Sequence, residues 1–253
     1  MSDNGRQNDK TASKTAIVTG SARGIGAAVA ERLGKDGFAV VVNYAGSAAD
    51  AEAEAAKIKD AGGHAIAVRA DVSDPAAVRH LFDEATQAFG GVDVLVNNAG
   101  VMLLSTIAEA DDALFDRQVA INLKGVFNGM REAAQRLRAG GRVISFSSSV
   151  VGLYQPTYGP YAATKGGIEA MTHVLANEMR GKDITVNAIA PGPTATHLFL
   201  DGKPQAAIDH LSHLAPLERL GTPDDIAAAV SFLAGPDGSW INGQVLRANG
   251  GIV

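Results

Sequence analysis

Tyr161 and Lys165, in "YAATK", set a phenol and an ammonium four residues apart. On a helix such residues lie about 40° apart around the axis, so both side chains share a face. An amphipathic surface would use the pair equally well. Its chemical use would be proton transfer. A phenol with its ordinary pKa of about 10 is a poor acid–base group at neutral pH, and a neighbouring cation lowers that value by favouring phenolate. Upstream, Ser147, Ser148 and Ser149 close a β-branched run. One of these hydroxyls could hold an oxygen that gains negative charge during reaction. The triplet could also merely end a strand, and its order does not say which serine faces inward.

These groups need a scaffold. Short β-branched runs, predicted as strands at 15–20, 38–44, 64–71, 92–100, 142–149, 184–192 and 244–251, alternate with Ala-rich helical segments. "GAAVAERLGKDG", "ADAEAEAAKIKDAGG", "PAAVRHLFDEATQAFGG" and the long run at 112–141 carry apolar residues at helical spacing and end at glycines, as helix C-caps do. Further helices are predicted at 161–181 and 223–234. Strands apolar almost throughout, alternating with helices, predict an α/β fold. We expect a single doubly wound, Rossmann-type domain over 14–253, with a seven-stranded parallel sheet and helices on both faces. A mobile polar tail would precede it at 1–13. Such sheets bind ligands outside the carboxyl ends of their strands. There "TGSARGIG" follows the first strand, "NNAG" the fourth, "SSS" the fifth and "APGPTAT" the sixth.

Gly20, Gly24 and Gly26 sit where the first strand turns into the first helix. Glycines there let a pyrophosphate approach the free N–H groups of a helix N-terminus. The spacing G-x3-G-x-G departs from the G-x-G-x-x-G fingerprint, and a tight turn alone would also use glycines. A carboxylate about 20 residues further on would hold the ribose hydroxyls of NAD. Asn43 and Tyr44 stand there instead, and neither repels a 2′-phosphate. Arg23 could reach that phosphate with its forked donors, and Ser47 could add a hydroxyl. Arg23 also fits a solvent-facing loop charge. The expected cofactor is therefore NADP(H) in preference to NAD(H). Asp71 is placed to accept from the adenine amino group, and Asp74, ahead of Pro75, fits a helix cap. Asn97, Ala99 and Gly100 follow the fourth strand; their backbone could pass the adenosine ribose, with Asn97 bracing neighbouring strands.

The five motifs in this order resemble the short-chain dehydrogenase/reductase family, over residues 14 to 253. The nearest group is the 3-oxoacyl-[acyl-carrier-protein] reductase-like one. The resemblance implies hydride exchange between a nicotinamide and a ketone or secondary alcohol, with Tyr161 as general acid/base; the positive ring of NADP+ would favour phenolate as Lys165 does, and Lys165 can also hold the nicotinamide ribose. Family members usually place the serine thirteen residues before the tyrosine, which selects Ser148, with Ser149 as the fallback. Asn122 in "VAINLKG" completes a tetrad, holding a water that relays protons to Lys165. Pro191 and Gly192 would lie beneath the nicotinamide and Thr196 near its carboxamide. Ser21, Ile25, Val72, Asn98 and Thr194 complete the candidate cofactor set. Ile25 and Ile189 fit core packing as well. Family members commonly form homotetramers through the helices that carry Asn122 and Tyr161.

Residues from about 193 to 222 are expected to form a substrate lid. Leu198, Phe199 and Leu200, with Val150, Leu153, Tyr154 and Tyr158, offer an apolar wall that favours an uncharged carbonyl compound. His210 and His213 read as lid-surface residues. The chain of 253 residues is 46% hydrophobic, contains no cysteine and carries a net charge of −5. Disulfides, thiolate zinc sites and a cysteine nucleophile are excluded. With no basic stripe, nucleic acid and anionic membranes are not expected partners. No apolar run approaches the ~18 residues of a membrane span, and the polar start lacks the apolar core of a secretory signal. A cytoplasmic setting is expected. The rival reading is a catalytically idle nucleotide-binding regulator on the same scaffold.

Overall fold

The computed structural model of the chain describes residues 13–253, apart from the side chains of Leu198 and Ala207. The expected tail thus lies outside the described residues except for its last one. In chain order the elements are β1 (Thr15–Val18), α1 (Gly24–Lys35), β2 (Ala39–Tyr44), α2 (Ala48–Asp60), β3 (His64–Arg69), α3 (Pro75–Phe89) and β4 (Val92–Asn97). Then come α4 (Asp112–Gln118), α5 (Gly125–Arg136), β5 (Leu137–Phe146), α6 (Val150–Leu153), α7 (Gly159–Glu178) and β6 (Thr185–Pro191). The last are α8 (His197–Leu200), α9 (Gln205–Leu214), α10 (Pro223–Ala234) and β7 (Val245–Ala248). Helix starts follow local chemistry. Asp74 caps α3 by accepting from Ala76 N, with Pro75 in the first turn, and Thr222 and Asp225 form a reciprocal capping box on α10.

All strand pairs are parallel, in the order β3-β2-β1-β4-β5-β6-β7. Strand alternation divides the apolar residues between two cores. Val40 and Val42 join Leu33 of α1, Ile58 of α2 and Val230 of α10 on one face. Val41 joins Phe82 of α3, Met130 of α5 and Ile168 of α7 on the other. The expected doubly wound sheet is present. The chain reverses its direction of travel across the sheet between β1 and β4, and that crevice is where ligands bind in such folds.

At the opposite end of the strands, Asp93 ties three of them together. Its carboxylate accepts from Thr15 N at 2.6 Å and from Arg138 Nε at 2.9 Å. This corrects one expectation, the single helix over 112–141. Residues 119–124 form a π-helical turn between α4 and α5, and Leu137 leaves the helix in extended geometry. Residues 137–141 then start β5, with a register shift opposite Val92 and Val94. The apolar period continues past Arg136, but the ion pair of Arg138 with Asp93 and left-handed Gly140 (φ 79°) pull the backbone into the sheet.

Candidate active site

Strand ends and helix starts around the β1/β4 crevice enclose a cleft of about 170 Å³. Its walls bring together Ile25, Asn98, Gly100, Ser148, Tyr161 and Lys165. Pro191, Gly192, Thr194 and Thr196 face them from the end of β6. Tyr161 and Lys165 share one face of α7, the lysine Nζ lying 5.6 Å from the phenol ring centre. Lys165 is 4% exposed, and its Nζ donates to Phe146 O at 2.7 Å. Burial pulls its ammonium down to about 8.

Tyr161 borders the cleft, yet protein surrounds it closely enough that burial pushes its phenol up to about 12. Ser148, hydrogen-bonded to it, pulls the other way and less strongly. This corrects the expectation that the adjacent ammonium dominates. The lysine Nζ donates to Phe146 O rather than to the phenol, and without a cofactor the cost of burying phenolate prevails. The phenol is thereby a fully protonated acid.

The serine triplet resolves by burial. Ser147 donates to Glu169 Oε1 at 2.6 Å, and Ser149 donates to Ala190 O at 3.3 Å while accepting from Asn249. Both are buried, and Ser148 alone of the three is partly open. Asn122 lies in the π-helical turn, fully buried. Its Oδ1 accepts from Val101 N and its Nδ2 donates to Val101 O, each at 2.8 Å. The side chain thus holds the segment beside Lys165. π-Turns of this kind recur at functional sites.

The glycine turn is built for close approach. Gly20 and Gly24 have φ of 62° and 61°. A Cβ on Gly20 would stand 2.9 Å from Ala99 Cα, and one on Gly26 2.5 Å from Asn98 Nδ2. The start of α1 carries no side-chain cap at Arg23 and no acidic residue in its first turn, whereas Ser47, Asp74, Asp111 and Thr222 cap α2, α3, α4 and α10. Free N–H groups on a glycine-lined crevice fit a dinucleotide pyrophosphate.

Several candidates hold the crevice rather than face it. Asn43 is a correction: its side chain is 1% exposed and spans the sheet, accepting from Gly20 N and donating to Ala70 O at 3.0 Å. Ser21 donates to Val18 O and Val72 packs under α5 against Gly125, whereas Thr194, which lines the cleft, also donates to Gly192 O. Asn97 braces β4 against β5 through Ser145, as expected. Asp71 accepts from Ser73 N and Oγ, and Tyr44 packs half-buried against the core. Arg23 and Ser47 are exposed at the crevice's β2 side, Ser47 also capping α2. Of the expected apolar wall, Phe199 lines the cleft, Tyr154 is 84% exposed, and the side chain of Leu198 lies outside the described residues. Ile189 is buried core, whereas Ile25 reaches the cleft. His210 and His213 are exposed on α9.

A family model described as enoyl-(acyl carrier protein) reductase matches residues 20–253. A short-chain type dehydrogenase/reductase of Picea abies is 44% identical over 95% of this chain and 92% of its own. The chain belongs to the short-chain dehydrogenase/reductase family. An NADPH-dependent aldehyde reductase-like protein, chloroplastic, of Arabidopsis thaliana is 43% identical over 96% of this dehydrogenase/reductase chain and 95% of its own. A short chain dehydrogenase from Burkholderia cenocepacia, in complex with NADP, is 38% identical with a TM-score of 0.90, over 94% of this chain and 97% of that one.

Sequence reasoning missed Val101, Met102, Gln155, Leu211 and Ile252, which also line the dehydrogenase/reductase cleft. Val101 and Met102 directly follow "NNAG", a signal that could have found them. Ile252 carries no such mark, since the fold alone returns the chain to the site. Among the described residues, no helix is long and apolar enough to cross a membrane.

Proposed function

We propose that this protein is an NADP(H)-dependent oxidoreductase that interconverts a carbonyl compound and its alcohol, with Ser148 and Tyr161 handling the oxygen. The observation that carries the reading is the Tyr161 phenol hydrogen-bonded to the partly open Ser148, with Lys165 one turn away on α7, all lining a cleft at the strand ends. The uncapped start of α1, with Gly20, Gly24 and Gly26, would hold the pyrophosphate. Asn98, Ala99, Gly100, Pro191, Gly192 and Thr196 would border the rest of the cofactor. Bound there, NADPH supplies the hydride that the carbonyl carbon receives.

The chain's own residues manage the oxygen. Ser148 donates a hydrogen bond to it as negative charge builds. Tyr161 gives it a proton, completing the alcohol. The Lys165 ammonium offsets the charge left on the phenol, and Asn122 holds the 100–101 segment against that lysine as a positioning residue. In the reverse direction Tyr161 takes the alcohol proton back.

Arg23, free of any carboxylate among the described residues, is the candidate reader of the 2′-phosphate. Two named relatives support NADP over NAD, one called NADPH-dependent and one solved with NADP. Fluorescence titration tests this reading. Wild type is expected to bind NADPH more tightly than NADH, and Arg23→Ala to weaken NADPH about tenfold while sparing NADH. Equal affinities in wild type would contradict it. A homotetramer is part of the same proposal, favoured by Phe115, Phe127 and Val174, which the helices beside the site leave 46%, 46% and 57% exposed. So is a cytoplasmic location.

A further inference from the structure

After β7 the chain turns back into the site. Asn249 anchors that turn: its Oδ1 accepts from Gly251 N, and its Nδ2 donates to Ser149 Oγ, both at 3.0 Å. The same Nδ2 donates to Val253 O at 3.3 Å. Gly192 allows the approach, since a Cβ there would stand 2.9 Å from Asn249 Cα, and its N–H donates to Ala248 O at 3.1 Å. On its other side the turn rests on the base of the lid, where Leu217 N donates to Gly250 O at 3.3 Å. The turn thus joins the ends of β5 and β6 to the lid, next to Ser148.

From this turn Ile252 lines the cleft, as do the apolar Val150, Leu153, Phe199 and Leu211. Among the described residues, Lys165 is the sole charged group lining that cleft. With Ser148 and Tyr161 occupied by the carbonyl oxygen, the substituents on the carbonyl carbon must meet this apolar wall. An ionised group there would be desolvated without a partner.

We propose that Ile252, held in place by the Asn249 anchor, sets the size of the substituent the site accepts, and that the substrates are neutral carbonyl compounds bearing one apolar group. The inference rests on the oxidoreductase reading above. An isoleucine on the wall acts as a stop: a shorter residue admits bulk, a longer one excludes it.

The test compares kcat/KM for benzaldehyde and 4-tert-butylbenzaldehyde with NADPH, in wild type, Ile252→Ala and Ile252→Phe. Ile252→Ala should raise the ratio of bulky to small substrate about tenfold or more, and Ile252→Phe should lower it comparably, through KM. NADPH dissociation constants, which report folding and an intact cofactor site, should stay the same. Asn249→Ala, which frees Ile252 without removing it, should narrow the preference between the two aldehydes. Equal ratios in all four proteins overturn the proposal. A wild type that binds NADPH but reduces neither aldehyde refutes the oxidoreductase reading instead. Thermal shifts of the NADPH-loaded proteins by 4-tert-butylbenzaldehyde then decide the wall's role: a shift that Ile252→Phe abolishes supports it, and an unaltered shift overturns it.

Discussion

Burial sets the charge state of both central side chains in the cofactor-free protein, and it acts on them in opposite directions. Lys165 is lowered to about 8 from the usual 10.5. The unfolded chain holds that proton more tightly, so between those two pH values it binds more protons than the folded one. Stability therefore rises with pH across that window, and below about pH 8 the full cost of the buried charge, about 3 kcal/mol, is present. Losing the bond to Phe146 O returns about 1 kcal/mol. Cofactor-free Lys165→Met should accordingly be more stable than wild type at pH 7, by about 2 kcal/mol. The gap should close between pH 8 and 10.5. Urea denaturation across pH measures it, and a variant less stable than wild type at pH 7 would contradict the assignment. The serines separate in the same way. Ser148→Ala should cut kcat about 100-fold with NADPH binding intact. Ser147→Ala and Ser149→Ala, which lose only internal hydrogen bonds, should each cost stability of about 1 kcal/mol. Steady-state kinetics beside urea melts would show it, and a kcat loss confined to Ser149→Ala would move the role to that residue.

Elements divide the labour between the two ends of the sheet. The carboxyl ends of β1, β4, β5 and β6 hold the glycine, asparagine and serine segments that line the cleft. The amino ends hold Asp93, which accepts from β1 and pairs with Arg138 at the start of β5. Asp93→Ala leaves Thr15 N and the Arg138 guanidinium without their acceptor, so it should destabilise by about 2–3 kcal/mol. Its kcat at 25 °C should be unchanged, because the site lies at the other end of the strands. Thermal melts and steady-state kinetics on one preparation check both halves; a kcat loss without a stability loss would sink the division. The central strands were legible in the chain because they are apolar at nearly every position, as Val40, Val41 and Val42 show by feeding both cores. The 112–141 segment was misread because local periodicity carries no trace of a partner 45 residues away, Asp93, that draws Arg138 into the sheet.

Across the whole molecule, legibility follows how local the cause is. Tyr161, Lys165 and the glycine turn stand out because spacing along one helix or one turn brings their groups together. Three features come from contacts between distant segments. Asn43 braces the sheet, the Asn122 side chain grips Val101, and Ile252 returns to the cleft after the last strand. The direction of the Tyr161 shift was also hidden, since it depends on how much protein encloses the phenol, which no neighbour in sequence reveals. Enclosure makes the phenol a reservoir for one proton, delivered where the oxygen of a carbonyl must sit. Single-turnover reduction of benzaldehyde by NADPH, followed by nicotinamide absorbance in wild type and Tyr161→Phe, tests that claim most directly. The account predicts the same NADPH affinity in both proteins and reduction slowed about 100- to 10,000-fold in the variant. Reduction at nearly the wild-type rate by Tyr161→Phe would contradict it.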